Sequence, residues 1–178
     1  MKQVLFLIAI LLVFTCKKEE TVNKIIPDEK EESVMLIGIS TRKGFDQEPF
    51  KVWYDEYYSN HRVNDSLLTL IEPLLKDVSI KVFIGTWCED SQRELPALYK
   101  ILDQVYFEEN KLELIALNRD KVTPDSLHIG FDIDYVPTII FNKNGKELNR
   151  IVEYPLYSLE EDMLSILRGE DYKHSYFE

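Results

Sequence analysis

Ser79-Ile-Lys-Val-Phe-Ile-Gly85-Thr-Trp87-Cys88-Glu-Asp-Ser91-Gln-Arg-Glu-Leu-Pro96 is the stretch on which the fold turns. Its first seven residues are rich in β-branched and aromatic side chains and end on glycine, which reads as a short buried strand. From Glu89 the period changes. Leu95, Leu98, Leu102 and Val105 recur at helical intervals and predict a helix over 89–107. Cys88 therefore stands where a strand has ended and a helix begins. There the free backbone N–H groups and partial positive charge favour thiolate, the nucleophilic form of cysteine. Ser91 follows one helical turn later, and its hydroxyl is expected to donate to the sulfur. Glu89 and Asp90 complement the helix dipole but repel a neighbouring thiolate, so modest reactivity near neutral pH is expected, with Arg93 offsetting part of the charge. Plainer readings stay open. Thr86-x-x-Glu89 and Ser91-x-x-Glu94 both fit the capping-box pattern, which would leave Ser91 only starting the helix. Trp87 suits packing as well as a lip around the site, and Cys88 suits an inert buried position.

Outward from this stretch the elements alternate. Residues 112–117 read as a strand, and Thr123-Pro124 as an N-cap and first-turn proline opening a short helix. Residues 138–141 and 147–152 read as strands joined by an Asn144-Gly145 hairpin turn. Ser158-x-x-Glu161 caps a final helix that ends near Gly169. On the amino-terminal side, residues 34–39 predict a strand. Phe50, Trp53, Tyr54, Tyr57 and Tyr58 share one face of a short helix, either turned into the core or offered to a partner. Asn64 or Asp65 caps a further helix toward Leu75, which Pro73 kinks or ends. The order β-α-β-α-β-β-α from residue 79 predicts an α/β fold with a mixed central sheet and helices on both faces. The domain spans 33–170, and 171–178 read as a loose tail.

Residues 79–167 resemble the thioredoxin superfamily. Trp87-Cys88-x-x-Ser91 stands where that family carries Trp-Cys-x-x-Cys after its first core strand. Pro96 matches the helix-kinking proline eight residues past the cysteine. Val136-Pro137-Thr138 resembles the loop whose proline is cis and faces the active cysteine, and the following Ile139 to Gly145 resembles the family's strand and turn. The resemblance implies a thioredoxin-like fold, with Cys88 and Ser91 at the catalytic positions and Trp87, Val136 and Pro137 on the substrate-binding side. Two departures matter. Ser91 replaces the resolving cysteine, so a mixed disulfide at Cys88 would persist until an external thiol attacked it. Val82 replaces the family's buried acid, which assists that missing thiol. Residues 33–78 resemble, more loosely, the added strand and helix of thiol-disulfide reductases tethered in bacterial envelopes.

The 178 residues carry 21 basic and 32 acidic side chains, a net charge of −11, which excludes a general nucleic-acid binder. Two cysteines cannot make a disulfide scaffold. His61, His128 and His174 lie far apart in sequence, so neither a metal site nor any cofactor is implied. At the amino terminus, Lys2 and the apolar run 4–14 make residues 1–15 a signal peptide. Cys16 follows at once, as in the lipobox of bacterial lipoproteins, where the cysteine is acylated. Val13 suits that pattern, whereas Phe14 and Thr15 depart from it and leave ordinary secretory cleavage as an alternative. Residues 16–32 then form a charged, lipid-anchored tether. The expected setting is the bacterial cell envelope, with the chain held by Cys16 at the outer membrane, facing the periplasm or the surface. Three functions compete: thiol-disulfide exchange with protein or small thiol and disulfide substrates through Cys88, an inactive thioredoxin-fold lipoprotein that binds a partner, and a thiol peroxide sensor.

Overall fold

The computed structural model describes residues 21–177. Among these residues six strands, β1 (Lys24–Asp28), β2 (Ser33–Ser40), β3 (Val78–Ile84), β4 (Leu112–Ala116), β5 (Thr138–Lys143) and β6 (Lys146–Val152), form one mixed sheet in the order β1-β2-β4-β3-β5-β6. At its centre β3 (Val78–Ile84) pairs in parallel with β4 (Leu112–Ala116) and antiparallel with β5 (Thr138–Lys143). A parallel pair needs a crossover, and α3 (Glu89–Gln104) supplies it. β5 turns into β6 (Lys146–Val152) through Asn144 and Gly145, whose φ values of 53° and 75° are what a two-residue hairpin turn demands. β2 (Ser33–Ser40) adds antiparallel on the far side of β4.

Strand alternation divides the core into two faces. Ile80, Val82 and Ile84 of β3 lie on one face with Leu114, Ile139, Phe141 and Ile151. The buried side chains of α1 (Phe50–Asn60), α2 (Asp65–Ile71), α3 and α4 (Leu159–Leu167) all join that face. Phe83, Ile115, Leu117, Val136 and Ile140 form the other. The α/β class and the mixed sheet stand as expected, but the layer over this second face is irregular. The helix expected at Thr123-Pro124 does not form. Lys121, Ser126 and Asp132 have positive φ, and the Thr123 hydroxyl and N–H are taken up locally by the Leu127 N–H and His128 Nδ1. Leu127, Phe131 and Ile133 cover the sheet from this looped segment instead.

The aromatic face of α1 is a core face. Phe50 and Tyr54 are buried, and Tyr54 stacks on Phe45 with ring centres 5.2 Å apart. α2 begins where the Asn64 side chain accepts the N–H groups of Ser66 and Leu67, and it gives way to a single 3-10 turn at Pro73. α4 begins where Ser158 accepts the N–H of Glu161.

Two stretches differ from expectation. Within the tether read over 16–32, β1 (Lys24–Asp28) is a strand paired along β2. Its anchor is Asp28, which is buried and accepts two bonds of 2.8 Å from Arg119. The Arg119 guanidinium holds that carboxyl below its ordinary range. The tail is not loose either. Tyr172 is buried and donates to Asp162 at 2.8 Å, and Tyr176 stacks on Tyr135 with centres 3.8 Å apart. The signal peptide and Cys16 lie outside the described residues. Among the described residues no helix is long and apolar enough to cross a membrane.

Candidate active site around Cys88

The chain leaves β3 at Gly85, where the sheet is fully buried and space is short. A Cβ at this position would lie 2.5 Å from the Trp87 ring, so only glycine lets the indole lie across the backbone. The ring is held from two further directions. Its Nε1 donates to the Leu117 carbonyl at 3.0 Å, and the Arg119 guanidinium sits 5.2 Å from its centre. Cys88 comes next as the N-cap of α3, in extended backbone geometry. Its N–H donates to Gly85 O at 2.9 Å, and its carbonyl accepts the Gln92 N–H at 3.0 Å, starting the helix. Cys88 is half-buried, and its thiol donates to the Val136 carbonyl at 3.1 Å. The next peptide, Val136-Pro137, is cis. Cys88, Trp87, Val136 and Pro137 are therefore brought together from two parts of the chain 48 residues apart.

Ser91 is placed differently from the sequence reading. Its side chain is 1 % exposed, and Oγ accepts the N–H of Gly85 at 3.2 Å. The hydroxyl thus satisfies a buried donor at the strand-to-helix turn rather than being aimed at the sulfur. Neither capping box forms at this end of α3. Thr86 Oγ1 accepts the Leu36 N–H from β2 at 3.2 Å, and Glu94 accepts from Arg93 Nε at 2.8 Å. Arg93 also pairs with Asp90 at 2.5 Å, which offsets one of the two carboxylates beside Cys88. Glu89 is exposed and makes no ion pair among the described residues. Burial pushes the carboxyl of Glu94 up, with Arg93 opposing the shift. Val82, at the place of the family's buried acid, is 0 % exposed in an apolar core.

Gly85, Arg119 and Asp28 escaped the sequence reading. For Gly85 the signal was present as a glycine two residues before a tryptophan. For Arg119 and Asp28 there was none, because the partners stand 91 residues apart. No group of three His, Cys, Asp or Glu that could hold a metal ion occurs among the described residues.

A β-α-β crossover, a closing hairpin and helix, and a cysteine at the crossover helix's N-terminus facing a cis proline make a recognisable set. The fold is thioredoxin-like. No protein-family model matches the sequence, and no curated protein matches it. Among solved structures, a Pseudomonas aeruginosa protein of unknown function is similar at 16 % identity, over 71 % of this chain and 88 % of that one, with a TM-score of 0.53. Thioredoxin from Fasciola hepatica is similar at 20 % identity, over 48 % of this chain and 77 % of its own, with a TM-score of 0.33. Mitochondrial thioredoxin 3 from Saccharomyces cerevisiae is similar at 20 % identity, over 54 % of this chain and 85 % of its own, with a TM-score of 0.32. Before β3 this chain carries the β1–β2 hairpin and the α1–α2 pair.

Proposed function

We propose that this thioredoxin-like protein performs thiol-disulfide exchange through the single thiol of Cys88. The observation that carries the reading is the half-buried Cys88 at the start of α3, its sulfur 3.1 Å from the carbonyl that precedes the cis proline. In the reaction Cys88 gives its proton to solvent and the thiolate attacks one sulfur of a substrate disulfide. A bond forms between Sγ and that sulfur while the substrate S–S bond breaks. The displaced thiolate takes a proton from water, so the substrate half is reduced as Cys88 is oxidised into a mixed disulfide. Ser91 has no sulfur with which to resolve it. Release therefore falls to an external thiol, whose thiolate attacks the substrate sulfur of the mixed disulfide; a new disulfide forms between those two, the bond to Sγ breaks, and Cys88 leaves as thiolate and regains a proton from water. Substrates of this class are proteins or small thiols and disulfides.

The test is exposure of the native protein to the neutral disulfide of 2-mercaptoethanol, followed by peptide mass mapping. The expected result is a single adduct on Cys88 that dithiothreitol removes, and its absence in Cys88→Ser. A native protein whose Cys88 stays unmodified, while the unfolded chain reacts, would leave only the partner-binding reading. That alternative has two surfaces, the aromatic residues of 50–58, of which Phe50 and Tyr54 lie inside the core, and the active-site face itself.

The setting belongs to the same proposal. The apolar run 4–14 followed by Cys16 supports a lipid-anchored location in the bacterial cell envelope. Mass spectrometry of the protein isolated from its native membrane is expected to find a chain beginning at Cys16 and bearing acyl groups. A mature chain without acyl groups, or one retaining residues 1–15, would overturn it.

A further inference from the structure

The two ends of the sheet differ in charge and in where the chain enters. Cys88 lies just beyond Ile84, where β3 finishes. Over its seven residues β3 spans about 20 Å, at about 3.3 Å per residue, so the end where it begins is remote from the sulfur. The register brings the start of β4, the end of β2 and the β5–β6 turn to that remote end. Val78 stands opposite Lys143, Ile80 beside Leu112, and Ser40 opposite Leu114. The described chain enters there too. Asn23, just before β1, donates its N–H to Ile39 O at 2.9 Å and exchanges two side-chain bonds with Thr41. Because β1 takes up residues 24–28, little chain separates the domain from Cys16. The five residues from Cys16 to Thr21 reach about 18 Å at full extension. An acyl group on Cys16 would therefore bring this end, rather than the Cys88 end, next to the bilayer.

The same end carries a tyrosine with no packing role. At the close of α3 the Phe107 N–H donates to the Leu102 carbonyl at 2.9 Å, and Tyr106 takes the left-handed position, φ 52°, where glycine is usual. The ring gains no burial in return, being 89 % exposed. Lys76 and Lys111 lie beside it around one hollow, and Lys24, Lys43, Lys143 and Lys146 are exposed at this end. A phenol among lysines suits the headgroup layer, where tyrosine rings settle and ammonium groups meet phosphates.

Acids bring this end close to charge balance. Glu108 pairs with Lys111 and Asp103 with Arg42, and Asp46, Glu72, Asp77 and Glu109 are exposed. The Cys88 end is far from balance. Arg119 is engaged by Asp28, and Arg93 by Asp90 and Glu94. Lys30 and Lys121 then stand against Glu29, Glu31 and Glu32 of the β1–β2 turn, Glu89, and Asp120 and Asp134 after β4.

We infer that the Tyr106 end of the domain rests on an anionic lipid surface and turns Cys88 away from the bilayer. The inference rests on the lipid anchor proposed above. An anionic bilayer repels the acidic Cys88 end and attracts the lysines around Tyr106, so the anchored domain settles one way up.

The experiment uses the acylated full chain carrying Tyr106→Trp, isolated from its native membrane. It is reconstituted in vesicles of equal parts phosphatidylcholine and phosphatidylglycerol whose acyl chains are brominated near the headgroup. Bromine quenches indole emission at short range. The wild-type chain reports Trp53 and Trp87, which line one cleft at the Cys88 end. The extra quenching in Tyr106→Trp reports position 106. Quenching there is expected to be about threefold stronger than at the native tryptophans, and about 0.5 M salt or vesicles of phosphatidylcholine alone should roughly halve it. Lys76→Glu combined with Lys143→Glu should lower it to the same extent. Flotation of the protein with the vesicles at high salt reads the anchor separately. Flotation with position 106 unquenched, or with Trp53 and Trp87 quenched as strongly, overturns the inference and leaves the anchor intact. Quenching indifferent to salt, lipid charge and the lysine substitutions overturns the electrostatic orientation. Quenching at position 106 without flotation at high salt overturns the anchor and keeps the lipid surface. A chain that neither floats nor is quenched overturns both.

Discussion

Ser91 shows how one hydroxyl can look catalytic in a sequence and be structural in a fold. Three residues past a cysteine on a helix, it is expected to face the sulfur, and in the structure its oxygen takes the buried N–H of Gly85. Ser91→Ala would leave that donor without a partner, at a cost of about 1–3 kcal/mol. A urea titration should show the midpoint falling at unchanged slope, with the Cys88 adduct still forming. Loss of the adduct in a stably folded variant would restore a direct role to the hydroxyl. Gly85 makes the opposite case, a residue with no chemistry that the site cannot do without. Gly85→Ala would press a methyl group against an indole already bonded to Leu117 and overlain by Arg119. Overpacking of this kind costs about 1–3 kcal/mol. Shifted tryptophan emission together with lowered stability is the expected outcome, and an unchanged spectrum would contradict the clamped geometry.

Elements with strong local signals were legible in the sequence, and those held by distant partners were not. β3, α3 and the Asn144-Gly145 hairpin each carry their own periodicity, cap or turn chemistry. Val136-Pro137 was legible as a loop through its resemblance alone. The Thr123-Pro124 cap signal opens no helix because Ser126 and Asp132 after it take left-handed backbone. β1 was missed because Lys24, Pro27 and Asp28 look like a solvated linker. Only pairing with β2 and the reach of Arg119 from beyond β4 turn them into an edge strand, and proline is tolerated at such an edge. The same ion pair makes the hairpin sensitive to acid. Arg119 lowers the carboxyl of Asp28 below its ordinary 3.8. Its stabilisation is therefore present above that value and is lost as pH falls through the lower folded one. Asp28→Asn should cost about 1–3 kcal/mol near neutral pH. In thermal melts the gap from wild type should close in strong acid, and a gap that persists there would contradict the assignment.

At the scale of the whole molecule, the carboxyl-terminal segment closes one side of the fold. Tyr172 donates to Asp162, whose carboxylate also accepts the Leu156 N–H at 2.6 Å, and Tyr176 stacks on Tyr135, the residue before Val136. Truncation after Glu170 should therefore lower the melting temperature by several degrees, at about 2–4 °C per kcal/mol for a chain of this size. An unchanged calorimetric transition would make the segment a passenger. The proposed exchange at Cys88, the one thiol among the described residues, makes an adduct that no other described residue can release. Its most direct test is the rate at which the Cys88 mixed disulfide is released as the concentration of an added external thiol is varied. The proposed exchange requires a rate proportional to that concentration and vanishing with it. A finite rate at zero added thiol would show that the chain resolves its own adduct and would contradict it.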